Sequence, residues 1–131
     1  MRIRPAQHSD RLSIAAVQAQ SWKDVYAGVL PENYLAGQLI LDLEHHWSTV
    51  DIQSGDVILV AEEDAILGFI AVWCRPEPFI DNVHVIPSQR SRGVGSGLMW
   101  TAAQKLITQG HTSAFLWVLE SNEQAIRFYE R

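Results

Sequence analysis

The chemistry-bearing residues of this chain gather between Phe79 and Gly97. Arg90-Ser91-Arg92-Gly93-Val94-Gly95-Ser96-Gly97 sets two arginines beside three glycines at alternate positions. Ahead of it, Ile80, Val83, Val85 and Ile86 supply branched apolar residues suited to a strand, which Pro87 ends. Behind it, an apolar-periodic segment starts at Leu98 and predicts a helix. A strand, a glycine loop and a helix start, in that order, leave backbone N–H groups free at a helix N-terminus next to cationic side chains. That arrangement attracts anions. Glycine lets a phosphate reach the backbone with no Cβ in the way.

Spacing narrows the ligand. A P-loop needs a lysine after its last glycine, and the loop has none. A dinucleotide fingerprint needs a third glycine three residues after the second. Leu98 or Trp100 stands there, depending on the starting pair. The pattern that does fit is Arg90-x-x-Gly93-x-Gly95 behind Val83-x-Val85-x-Pro87. It resembles the acyl-CoA pyrophosphate loop of the GNAT acyltransferase superfamily. A second stretch, Asn122-Glu123-Gln124-Ala125-Ile126-Arg127-Phe128-Tyr129, is similar to that family's Asn-x-x-Ala-x-x-Phe-Tyr helix and follows at the expected distance.

The resemblance implies an α/β fold: a GNAT-like mixed sheet of about six strands with helices on both faces. Its central parallel pair, Phe79–Ile86 and Ser113–Leu119, would splay around CoA. It implies an acetyl-CoA-dependent N-acetyltransferase acting on a small-molecule or peptide amine by direct attack on the thioester. Arg90, Ser91, Arg92, Gly93, Val94, Gly95 and Ser96 would hold the pyrophosphate. The backbone of Val83 and Val85 and the side chain of Asn122 would hold the pantetheine arm, and Tyr129 would protonate the leaving thiolate. A non-catalytic acyl-CoA-binding sensor or partner module with the same loop is the other class.

The residues themselves say what else the reaction needs. A lysine-like amine has a pKa near 10.4, so neutralising it at pH 7 costs about 4.6 kcal/mol and calls for a base. Asp81 and His84 on the central strand, and Glu120 at the end of the next, are candidates, and no spacing singles out one. Asn122 and Tyr129 lie seven residues apart, two helical turns, and so share a face.

Positioning these groups falls to the rest of the chain. Arg2-Ile3-Arg4 before Pro5 predicts a first strand, and Ser9 or Asp10 caps the next helix. That helix carries Leu12, Ala15, Ala16, Ala19 and Trp22 as its apolar stripe. Trp22-x-x-x-Tyr26-x-Gly28-x-Leu30-Pro31 ends it, as a core turn or as a wall of the acceptor pocket found in similar bacterial family members. A second helix over Leu35–Gln53 places Leu39, Leu43, His46, Trp47 and Val50 on one face. His45-His46 does not have the i, i+4 spacing of helical zinc ligands, so no metal is expected. Val57–Ala61 and Ile66–Trp73 form a hairpin, with Gly68 marking a bulge or a close backbone approach. The helix after the glycine loop ends at Gly110, and Ser121-x-x-Gln124 forms a capping box.

Length and composition bound the reading. At 131 residues, 47% of them apolar and five of them tryptophan, the chain makes one domain over 1–131 with a substantial core. A net charge of −5 with no basic block argues against nucleic acid. No apolar run approaches the ~20 residues of a membrane span, and Cys74 is the only cysteine. A cytoplasmic protein is the expectation. Family members continue past the Phe-Tyr pair into further strand, so the resemblance marks the C-terminal end as incomplete. A homodimer pairing along the exposed C-terminal sheet edge is the partner expected for such a chain.

Overall fold

The computed structural model of the chain describes residues 1–90, 92–111 and 115–116. Strand β1 (Arg2–Pro5) leads through a 3-10 turn at His8–Asp10 into α1 (Arg11–Val25). A π-helical turn at Tyr34–Gln38 runs into α2 (Leu39–Thr49). Then follow β2 (Val57–Glu63), β3 (Ala65–Cys74), β4 (Pro78–Val85), a 3-10 turn at Pro87–Gln89, α3 (Val94–Thr108) and β5 (Phe115–Leu116). The described strands form one five-stranded sheet in the order β1-β2-β3-β4-β5. The first three pairings are antiparallel, and β4–β5 is parallel through Phe79↔Phe115 and Ile80↔Leu116. The mixed α/β architecture and the parallel central pair agree with the expectation. No described helix is long and apolar enough to cross a membrane.

Helices cover both faces of the sheet. On one side, Ile14, Ala15, Leu39, Leu43 and Trp47 pack on Ile58, Val60, Phe69 and Ala71. On the other, Leu98, Ala102 and Leu106 of α3 pack on Leu59, Ile70, Val72 and Ile80. Burial on both faces explains why β2 and β3 read as unbroken apolar runs rather than as alternation.

Several boundaries differ from the sequence reading. The inner face of α1 is Ile14, Ala15, Val17, Gln18, Ala19 and Ser21, whereas Leu12 is 56% exposed and Ala16 also faces outward. Of the expected stripe of Leu12, Ala15, Ala16, Ala19 and Trp22, only Ala15 and Ala19 lie on this buried face, which carries two polar residues. His46 is exposed while its neighbour Trp47 is fully buried, and α2 ends at Thr49, four residues before Gln53. Helix α3 begins at Val94, four residues before Leu98, so Gly95 and Gly97 lie in its first turn.

Two irregularities matter for the site. In β4, Asn82 pairs with Ala71 and Ile80 with Val72, which leaves Asp81 as the extra residue of a bulge. A Cβ on Gly68 would stand 2.8 Å from the His84 carbonyl oxygen, so β3 and β4 approach there as only glycine permits.

The N-terminal strand is tied down by charge. Arg4 pairs with both carboxylate oxygens of Asp10, at 2.7 and 3.0 Å, and reaches Glu62 at 3.1 Å. Asp10 is 8% exposed and also accepts the Gln7 N–H at 2.7 Å. The Arg4 guanidinium holds the Asp10 carboxyl below the usual carboxylate range; burial opposes the shift and the Gln7 N–H adds to it. A depressed folded pKa gives stability that is present above the unfolded value, about 3.9, and is lost as pH falls through the folded one. Asp10→Asn is therefore expected to cost about 2–3 kcal/mol at pH 7 in urea denaturation. The gap between variant and wild type should shrink as pH drops below ~4. A gap that stays constant through that range would contradict the assignment.

Candidate active site

The polar face of α1 meets β4. Gln18 and Ser21 are 5% and 4% exposed, and a polar group so buried needs a partner. The partners come from β4, where the residues after the bulge, Asn82 and His84, turn toward α1. Gln18 Nε2 donates to Asn82 Oδ1 at 3.4 Å, and Gln18 Oε1 accepts from the Trp47 indole at 2.7 Å. His84 Nδ1 lies 2.9 Å from Ser21 Oγ and its Nε2 3.1 Å from Asn82 Oδ1. An amide oxygen can only accept, so Nε2 carries the hydrogen and Nδ1 accepts the Ser21 hydroxyl. Burial, with the nearby Arg90 charge adding to it, lowers the His84 pKa to about 4. His84 is thus a neutral imidazole with both ring nitrogens engaged.

Asp81 has a different setting. It is exposed at the bulge. Its Oδ2 accepts from Asn82 Nδ2 and from the Trp73 indole, each at 3.0 Å. No described residue hydrogen-bonds its Oδ1.

The opposite face of β4 leads to the loop. Val83 and Val85 pack toward α3. Ile86 N–H donates to Leu67 O at 2.9 Å. Backbone groups alternate along an antiparallel ladder, so Val83 and Val85 direct theirs away from β3, toward the edge that β5 occupies. No described strand pairs with them there. Past the turn at Pro87–Gln89, Gly93 takes φ 84 as the N-cap of α3 and supplies no capping side chain. The first helical bond described here is Gly97 N–H to Gly93 O, 2.9 Å. The N–H groups of Val94, Gly95 and Ser96 therefore have no acceptor within the helix. Among the described residues, a Cβ on Gly93 would meet nothing within 4 Å. Val94 is 3% exposed and anchors the turn in the α3 core.

The two loop arginines differ. Arg90 is bound to α1, through Asp24 and, at 3.4 Å, through Ser21 Oγ. Arg92 is exposed and forms no ion pair among the described residues. Ser91, Glu120, Asn122 and Tyr129 lie outside the described residues. The structure thus brings together Asp81, His84, Val83, Val85, Arg90 and the residues from Arg92 to Ser96 along one strand and the turn after it.

Sequence reasoning missed Gln18, Ser21, Asn82 and Trp73. One signal was available: positions 14, 18 and 21 share a helical face with the apolar residues of α1. Farther along α1, Trp22 and Tyr26 meet as a tilted pair with ring centroids 5.0 Å apart and pack half-buried on the core. Beside them opens a cleft of about 750 Å³ lined by Lys23, Ala27, Gly28, Leu30, Glu32 and Leu35.

Comparison with known proteins converges on one family. Residues 19–131 match the family model for the Acetyltransferase (GNAT) family. The chain is 25% identical over 134 residues to YuaI of Bacillus subtilis, an uncharacterized N-acetyltransferase, covering 98% of this chain and 76% of that protein. It is 28% identical over 140 residues to an uncharacterized N-acetyltransferase of Archaeoglobus fulgidus, covering 98% and 89%. The PaiA N-acetyltransferase of Thermoplasma acidophilum, crystallised with coenzyme A, superposes with a TM-score of 0.77 at 21% identity, covering 98% and 86%. A GNAT family acetyltransferase of Brucella melitensis, in complex with acetyl-CoA, gives 0.66 at 20% identity, covering 95% and 80%. At these identities the superpositions show a shared fold. The family match spans most of the chain, and with the loop and the sheet it establishes that this protein belongs to the GNAT acetyltransferase family.

Proposed function

We propose that the chain transfers the acetyl group of acetyl-CoA to a primary amine by direct attack of the amine on the thioester. One observation carries the reading. The outward backbone edge of Val83 and Val85 runs straight into the open N-terminus of α3. Such a run of backbone groups suits an extended, amide-bearing arm that ends in a diphosphate. The donors at Val94, Gly95 and Ser96 would hold the diphosphate, with Arg92 and the Ser91 hydroxyl beside it. The Val83 and Val85 backbone and Asn122 would hold the arm. The two relatives crystallised with coenzyme A and acetyl-CoA support this choice of ligand.

Acetyl-CoA supplies the activated acetyl thioester. The chain's own groups manage the protons. Asp81 is the base, since His84 has both nitrogens engaged, whereas Asp81 sits exposed at the bulge and no described residue takes its Oδ1. It takes the proton that the amine must lose. Tyr129 gives a proton to the departing thiolate. Arg90 holds the loop against α1 through Asp24 and contributes less to ligand affinity than the backbone donors.

Two measurements test this. Gly93→Asp places a carboxylate where the diphosphate would lie and should weaken acetyl-CoA binding more than tenfold in calorimetry, whereas Arg90→Ala should change it less. Unchanged affinity in Gly93→Asp would overturn the loop assignment. Thiol release measured over a panel of primary amines should show turnover, and Tyr129→Phe should lower kcat by ~10²–10⁴ with acetyl-CoA affinity near wild type. Tight acetyl-CoA binding with no turnover on any amine would favour a non-catalytic acyl-CoA-binding module instead.

A further inference from the structure

We propose that Asn82 is a positioning residue that aims the Asp81 carboxylate, and that buried Trp47 fixes the direction of its amide through Gln18. The inference rests on the reading of Asp81 as the base.

Donors and acceptors fix the direction of each amide in turn. The Trp47 indole can only donate, so the Gln18 oxygen must face it, at 2.7 Å. That leaves the Gln18 NH2 pointing at Asn82, whose oxygen must accept it, at 3.4 Å. His84 Nε2–H donates to the same oxygen at 3.1 Å. With its oxygen committed, Asn82 turns its NH2 to Asp81 Oδ2, at 3.0 Å. A carboxylate can only accept, so the far end agrees with the near end. Reversing Gln18 would set its NH2 against the indole N–H and its oxygen against the Asn82 oxygen, and reversing Asn82 would set NH2 against NH2 and an amide oxygen against the carboxylate.

Asp81 needs such help. As the extra residue of the bulge it has no partner across the ladder with β3, and its side chain is exposed. Its aim comes from the two N–H groups that converge on Oδ2, those of Asn82 and Trp73. The second also leads back to Trp47, because the two indoles stack at 6.3 Å with 26° between planes. Both arms thus start from one fully buried side chain and end on one carboxylate oxygen, leaving Oδ1 for the proton of the acceptor.

A kinetic double-mutant cycle tests the proposal, with acetyl-CoA affinity measured alongside. Asn82→Ala should lower kcat about tenfold when Asp81 is present and less than about twofold in an Asp81→Ala background, with acetyl-CoA affinity unchanged. Asn82→Asp keeps the two bonds accepted from Gln18 and His84, but it loses the donor to Asp81 and sets a second carboxylate oxygen against Oδ2. It should show the same dependence on Asp81 even if Asn82→Ala folds poorly. An equal loss in both backgrounds, or no loss in either variant, would overturn the positioning role and leave Asp81 standing. Full turnover by Asp81→Ala would remove the base itself, and the proposal with it.

Discussion

Two buried polar residues on α1 constrain the rest of the site. Gln18 and Ser21 sit where a helix normally presents apolar side chains, and leaving either unpaired would cost about 1–3 kcal/mol. Their partners, Asn82 and His84, lie more than sixty residues away on β4. Hydrogen bonds are directional where apolar packing is not, so α1 cannot slide or rotate on β4 without breaking them. The seam continues through Ser21 and Asp24 to Arg90, and so ties the same helix to the loop after the strand. Among the described residues no buried side-chain nitrogen or oxygen lacks a partner. The polar seam is therefore compatible with a stable core.

Strand β4 divides the labour between its two faces. Asn82 and His84 belong to the seam, while Val83 and Val85 anchor the α3 side and turn their backbone groups to the open edge. The bulge sets this alternation, because an extra residue at Asp81 flips the side-chain phase of everything after it. A regular strand would carry the two valines into the seam and the polar pair into the α3 core. One inserted residue thus sets the polar seam and the two valines on opposite faces of the same strand. Gly68 allows the neighbouring strand close enough to hold that geometry.

Much of this was legible in the sequence, and the reasons for the rest are physical. The glycine loop could be read because glycine, proline and arginine dictate backbone and charge locally. The parallel pairing of β4 with β5 followed from the helix between them. The start of α3 was misplaced because Gly95 and Gly97 look like breakers. A glycine costs a helix only about 1 kcal/mol, and burial of Val94 in the α3 core offsets that. The face of α1 was misjudged because a polar residue in isolation reads as exposed. What buries Gln18 and Ser21 is a strand distant in sequence, and the bulge that turns Asn82 and His84 toward them leaves no mark in composition. Asn122 and Tyr129 were legible only through resemblance and lie outside the described residues.

The protonation state of His84 tests the account most directly, because the imidazole reads out the direction of every bond around it. Nitrogen NMR of the labelled ring, followed through a pH titration, should show a neutral Nε2–H tautomer from neutral pH down to about 4, where the ring finally charges. Titration near the ordinary histidine value of about 6.5, or a neutral Nδ1–H tautomer, would contradict the seam as drawn.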